Sequence, residues 1–94
     1  MAIRSFKDAI AKAVFEGERP RRVPADVLSR LRRRLVQIDA AERLDDLRVP
    51  PGNRLEALAG DRAGQHSVRV NDQWRICFVW TEGGPEDVEF VDYH

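Results

Sequence analysis

The chain has 94 residues, enough for one compact domain over residues 1–94 that buries roughly 60 to 65% of its unfolded surface, and too few for a second core. Its 43% apolar and 34% charged residues exclude a disordered or bilayer-embedded chain. The net charge of zero conceals a division, because residues 1–38 hold ten Arg or Lys against four Asp or Glu and residues 39–94 hold six against twelve, giving +6 and −6; such asymmetry points to a basic face.

The longest apolar run, Ile76 to Trp80, falls far short of the roughly 20 residues that span a bilayer. Met1 to Phe6 lacks the apolar stretch of a signal peptide, so a cytoplasmic location without membrane contact is expected. Fourteen of the sixteen basic residues are arginine, whose planar fork matches phosphate oxygens. The single cysteine, Cys77, excludes an internal disulfide and reads as a small core residue.

In chain order, Phe6, Ile10, Val14 and Phe15 share a helical face that predicts a first helix from Ser5, ended by Gly17 and Pro20. Glu18 to Arg22, with Arg19, Pro20, Arg21 and Arg22, reads as a solvated basic loop. A second helix begins near Pro24, with Leu28, Leu31, Leu35 and Ile38 toward the core. Arg30, Arg32, Arg33 and Arg34 crowd its other faces, either as a solvated surface, the simpler reading, or as a contact for ribosomal RNA. A short helical turn is expected over Ala40 to Leu47, before Val49, Pro50, Pro51 and Gly52 break the chain.

Sheet follows. Leu55 to Leu58 suits a short strand, and the turn at Gly60 to Gly64 leads to another around Ser67 to Val70. A two-residue turn at Asn71 and Asp72 feeds the strongest strand, Trp74 to Trp80, with Trp74, Ile76, Phe78 and Trp80 on one face and Arg75, Cys77 and Val79 on the other. A second turn at Gly83, Gly84 and Pro85 returns the chain into Asp87 to Tyr93. The fold class is therefore α+β, with N-terminal helices packed on a small antiparallel β-sheet.

The hairpins bring chemistry together. A turn centred between Asn71 and Asp72 sets Arg69 opposite Trp74, and one near Gly83 sets Trp74 opposite Asp92 and Gln73 opposite Tyr93. Arg69, Arg75, Asp92, Tyr93 and His94 then gather at one end of the sheet. Such a group suits cleavage of RNA by its own 2′-hydroxyl: a base takes that proton, a cation steadies the phosphorane charge, and an acid protonates the leaving 5′-oxygen, with no metal or cofactor required. An imidazole titrates near neutrality, which makes His94 the natural proton carrier. Tyr93 suits stacking or a phosphate hydrogen bond, and Asp92 suits orienting a donor. The blander alternative stands beside this: terminal residues fray, strand arginines pair with carboxylates, and a lone histidine is usually surface. His66 reads as a packing or surface residue, since two histidines and scattered acids make no metal motif.

Gly60-Asp61-Arg62-Ala63-Gly64, then Ser67 through Phe78 with Arg69-Val70-Asn71-Asp72-Gln73-Trp74-Arg75 at its centre, and the ending Asp92-Tyr93-His94 resemble the HigB toxins of the RelE superfamily. Ile3-Arg4-Ser5-Phe6-Lys7, Val23-Pro24-Ala25 and Leu35-Val36-Gln37-Ile38-Asp39 extend the likeness over nearly the whole chain. The resemblance implies a RelE-like fold, cleavage of messenger RNA in the ribosomal A site, and neutralisation by a HigA-type helix-turn-helix antitoxin, through which alone operator DNA would be contacted. It carries over to Arg75 as a phosphate contact, to Asp92, Tyr93 and His94 as the terminal catalytic group, and to Arg62 and Arg69 as RNA-binding candidates. Some members have a histidine where this chain has Glu56 and a lysine where it has Ala59, so Glu56 is either a replacement in proton transfer or structural. Two competing readings remain: a non-catalytic module that occupies ribosomal or other RNA, and a DNA-binding regulator, which the lack of a recognition-length helix after the second one disfavours.

Overall fold

The computed structural model describes residues 1–92. Two helices, α1 (Ala9–Phe15) and α2 (Ala25–Ala40), precede four strands, β1 (Glu56–Ala57), β2 (His66–Arg69), β3 (Trp74–Thr81) and β4 (Gly84–Asp92), with 3₁₀ turns at Leu44–Arg48, Pro51–Asn53 and Gly60–Arg62. The strands form one antiparallel sheet in the order β1-β2-β3-β4, the α+β arrangement expected. No helix among the described residues is long and apolar enough to cross a membrane.

The core lies between the helices and one sheet face. Leu28, Leu31, Leu35 and Ile38 of α2 are buried with Val14 of α1 against Val68, Ile76, Phe78 and Val88 of the sheet, so the leucine spacing read as a core stripe is one. Pro24 stands immediately before α2, where its fixed φ costs nothing.

The first helix starts at Ala9 rather than Ser5. Phe6, in phase with the helix by its spacing, instead bridges Val88 in parallel, with Lys7 N–H donating to the Val88 carbonyl (3.0 Å) and Val88 N–H to the Ser5 carbonyl (3.1 Å). Asp8 joins the two structures: one carboxylate oxygen accepts from Ile10 N–H at 2.9 Å, capping α1, and the other accepts from Phe90 N–H at 3.0 Å on β4. The first strand shrinks to Glu56–Ala57, and the turn expected over Ala40 to Leu47 lies at Leu44–Arg48.

The first hairpin differs in register from the expectation, and the second in the position of its turn. The Asn71 side chain accepts from Gln73 N–H (2.9 Å) and Trp74 N–H (2.8 Å), an Asx turn that lengthens the connection by one residue. Arg69 therefore faces Arg75, not Trp74. The second turn sits at Glu82 and Gly83, because Gly84 and Pro85 already pair with Thr81 and Trp80. Gly84 has φ +123°, and a Cβ there would lie 2.6 Å from the Ala2 carbonyl oxygen, which leaves glycine as the residue that fits. Between Cys77 and Val79 the ladder shifts by one, and Asp87 takes φ +53° as the extra residue of a β-bulge. Beyond that bulge the expected pairing of Trp74 with Asp92 is present.

Candidate functional site

The sheet face turned away from the helices carries the polar candidates. Alternation along the strands places Val68, Ile76 and Phe78 in the core and Ser67, Arg69, Arg75 and Cys77 on the opposite face. Register extends this outer row, setting Glu56 beside Ser67, Ser67 beside Cys77 and Cys77 beside Glu89.

Arg75 is the buried charge of this face, with 8% of its surface exposed. Its Nε donates to Ser67 Oγ at 2.8 Å, and one terminal nitrogen donates to the Arg54 carbonyl at 2.6 Å and the Ser67 carbonyl at 3.5 Å. A buried guanidinium is tolerable only when its donors are satisfied in this manner. Arg54 presents its carbonyl from a left-handed backbone (φ 45°). The preceding Asn53, fully buried, pins that turn by donating from Nδ2 to the Leu47 carbonyl at 3.1 Å and the Val49 carbonyl at 3.4 Å. Glu56 Oε2 lies 4.0 Å from the Arg75 terminal nitrogen, the outer limit of an ion pair, and its side chain is half exposed. A cation is thus fixed in the sheet face with a solvent-accessible carboxylate beside it, the two kinds of group that charge stabilisation and proton transfer at a phosphate require.

The remaining candidates are placed as follows. Arg62 donates to Glu89 Oε1 at 3.1 Å and Gln65 Oε1 at 3.0 Å, tying the 3₁₀ turn before β2 to β4. Arg69 pairs with Asp72 in the hairpin connection. Asp92 accepts from Gln73 Nε2 at 3.2 Å; opposite Trp74, it occupies the other sheet face from Arg75, whose partner is Val91. Tyr93 and His94 lie outside the described residues. The register therefore brings Glu56 to Arg75 and sets Asp92 on the opposite face, so the expected meeting of Arg75 with Asp92 is corrected by strand alternation.

Cys77 is buried, and burial raises its thiol pKa, as its core reading requires. His66 is half-buried, with its ring 6.5 Å from that of Phe78, a packing position. Three contributors had no signal of their own in the sequence reading: Ser67, Asn53 and the Arg54 carbonyl. For Ser67 the correct hairpin register would have sufficed, since it places the hydroxyl diagonally across from Arg75. Nothing local announces that a backbone carbonyl folded over from residue 54 will receive the guanidinium.

The chain is similar to known proteins over most of its length. The family model of HigB-like toxins, described as the RelE-like toxin of the type II toxin-antitoxin system HigB, matches residues 4–94. The chain is 43% identical over 79 residues to toxin HigB-1 of Vibrio cholerae serotype O1, covering 83% of each chain. It is 36% identical over 92 residues to endoribonuclease HigB of Proteus vulgaris, covering 98% of this chain and 99% of that one. An uncharacterized protein of Haemophilus influenzae is 37% identical over 78 residues, 83% of this chain and 76% of its own.

Proposed function

Because the chain belongs to the HigB family of RelE-like toxins of type II toxin-antitoxin systems, we propose that it is an endoribonuclease that cuts messenger RNA in the A site of translating ribosomes and so arrests translation. The family fixes the coarse statements: the protein is a toxin with a RelE-like fold, and an antitoxin is its partner. The finer reading takes that antitoxin to be a HigA-type helix-turn-helix protein, with operator DNA contacted only through it. The observation that carries the nuclease reading is the Arg75 guanidinium, buried and held by Ser67 and Arg54 with Glu56 at 4.0 Å.

In the proposed reaction the 2′-oxygen forms a bond to phosphorus as the bond from phosphorus to the 5′-oxygen breaks, leaving a 2′,3′-cyclic phosphate and a 5′-hydroxyl. The nucleophile is the substrate's own hydroxyl, so the chemistry requires no metal-activated water. Arg75 is assigned to the negative charge of the phosphorane, where a preorganised donor is worth on the order of 10² to 10³ in rate. Glu56 takes the 2′-proton, His94 protonates the departing oxygen, Asp92 orients a neighbouring donor, and Tyr93 stacks on a base or bonds the phosphate. Arg62 and Arg69 contact RNA on either side.

Mapping new 5′ ends of transcripts after induction tests this. Ends inside translated codons, lost in Arg75→Ala and His94→Ala proteins that remain folded, are expected. Translation arrest without new ends would replace the nuclease by an RNA-occupying inhibitor.

A further inference from the structure

The second helix ends on a cleft that the site described above does not use. About 240 Å³ in volume, it is lined by Gln37, Ala40 and Ala41 at the end of α2 and by Asp46, Leu47 and Val49 in and just after the 3₁₀ turn that follows. None of these residues belongs to the sheet. We propose that this cleft is a docking site for the antitoxin, which places a lysine or arginine side chain in it and apolar neighbours against its rim. The proposal rests on the toxin-antitoxin pairing of the family and is independent of the nuclease reading.

The rim is apolar and open to solvent. Val49 is 73% exposed, and Val36, one helical turn before Ala40, is 54% exposed; with Met1 they are the large apolar side chains left exposed among the described residues. Met1 lies at the same end of α2, where its ammonium donates to the Ala41 carbonyl. Apolar side chains gathered in this way mark an interaction surface, whereas the same residues scattered singly would not. Inside, Ala40, Ala41, Leu47 and Val49 offer an apolar wall to the aliphatic stem of a lysine or arginine.

The charged head of that side chain meets acceptors. α2 has no basic residue in its last turn, so the negative end of its dipole lacks a side-chain counter-charge. The N–H groups of Glu42 and Arg43, which a continuing helix would donate to the Ile38 and Asp39 carbonyls, go instead to Asp46 Oδ2, each at 3.0 Å. Gln37 Oε1, buried in the wall, has no donor among the described residues. From residue 39 to residue 49 four carboxylates stand against two arginines, and one of these, Arg48, is engaged by Asp45. A cation is drawn to this end of the molecule and an RNA phosphate is repelled, which favours a basic protein surface as the occupant. A small molecule fits less well, since its sites span roughly 300 to 1,000 Å³, whereas an arginine held in a pocket is a recurrent anchor of protein interfaces. The occupant touches none of Glu56, Ser67 and Arg75, so a toxin that loses its grip on the antitoxin here should still cut.

Titration of the antitoxin against Ala40→Lys, Ala40→Glu and Ser29→Lys toxins tests this. Ala40 and Ser29 are both exposed on α2, and a lysine at position 40 complements the helix end, so Tm should not fall. Ala40→Lys should weaken binding at least about 30-fold, because like charges juxtaposed across an interface are costly, and the loss should shrink as salt rises. Ala40→Glu, of similar bulk, should bind within about threefold of wild type, and so should Ser29→Lys, the same charge gain near the other end of the helix. Cleavage by free Ala40→Lys toxin should match wild type, while its toxicity in cells escapes the antitoxin. Full-strength binding by both Ala40→Lys and Val49→Lys, or equal loss in Ala40→Lys and Ser29→Lys, overturns the docking site; equal loss in Ala40→Lys and Ala40→Glu overturns the cationic anchor. Self-association abolished by Ala40→Lys with antitoxin binding intact would give the cleft to a second copy of this chain and overturn the proposal. Wild-type toxin that binds the antitoxin as expected but cuts no message would remove the nuclease and leave the cleft standing.

Discussion

Ser67→Ala isolates what holds the Arg75 guanidinium in place. Ser67 is fully buried, and its hydroxyl accepts from Arg75 Nε at 2.8 Å. Alanine deletes one oxygen and leaves that N–H without its partner. A hydrogen bond to a charged group contributes about 1.5 to 3 kcal/mol. The Arg54 and Ser67 carbonyls still accept from another guanidinium nitrogen, which sets the loss near the lower end, about 1.5 to 2 kcal/mol. For a domain of this size each kcal/mol lowers Tm by roughly 4 to 8 °C, so a fall of about 6 to 16 °C is expected. The freed guanidinium gains rotational latitude, and a displacement on the order of 1 Å costs about 10²-fold in the chemical step. Thermal unfolding followed by tryptophan fluorescence, paired with single-turnover cleavage on programmed ribosomes, measures both. A Tm fall below about 2 °C together with undiminished cleavage would refute the argument that Ser67 positions Arg75.

Asp8→Ala removes an N-cap and the acceptor for Phe90 N–H at once; a loss of about 1 to 3 kcal/mol is expected in urea unfolding, and Asp8→Asn should recover part of it. Asp46, whose pKa is lowered by the backbone N–H groups of Arg43 and Glu42, stabilises the fold above its unfolded pKa and ceases to do so as pH falls through the lower folded value. Asp46→Asn should therefore lower Tm at neutral pH and reduce the wild type's decline in acid; parallel Tm-against-pH curves would contradict this. Glu56→Ala should leave Tm within about 1 °C, as an exposed partner at the limit of ion pairing contributes little, while slowing cleavage if this carboxylate transfers the proton; full activity would make it dispensable. Burial of Cys77 with its raised thiol pKa predicts that thiol reagents label the folded protein only at the rate of its opening, and rapid stoichiometric labelling would disprove it.

Local pattern carried much of the architecture. The leucine stripe of α2, the proline before it, the alternation of β3 and the α+β order are all properties of neighbouring residues, and they appear as read. So does the pairing of Trp74 with Asp92, because the one-residue shift in register at the second turn is offset by the bulge at Asp87. What escaped the reading depended on residues distant in the chain. Phe6 keeps helical phase with Ile10, yet Val88 offers its backbone groups and takes the segment as strand. One side-chain oxygen of Asn71 shifted a hairpin and turned Arg69 from Trp74 to Arg75.

The candidate site divides in the same manner. Residue types and spacing identified Arg75 as a candidate at one end of the sheet, since strand register is largely a matter of counting, and the resemblance to the HigB toxins is what pointed to Glu56. Only the tertiary structure decided that Arg75 is buried and held by a hydroxyl and a carbonyl, that Asp92 lies on the opposite face, and that Arg32 braces the helices while Arg34 reaches the Arg69 carbonyl. Four arginines in one helical run are equivalent by sequence; they become distinct because Arg32 and Arg34 reach different backbone carbonyls while Arg30 and Arg33 stay exposed, and hydrogen-bond geometry and burial act through such distant neighbours.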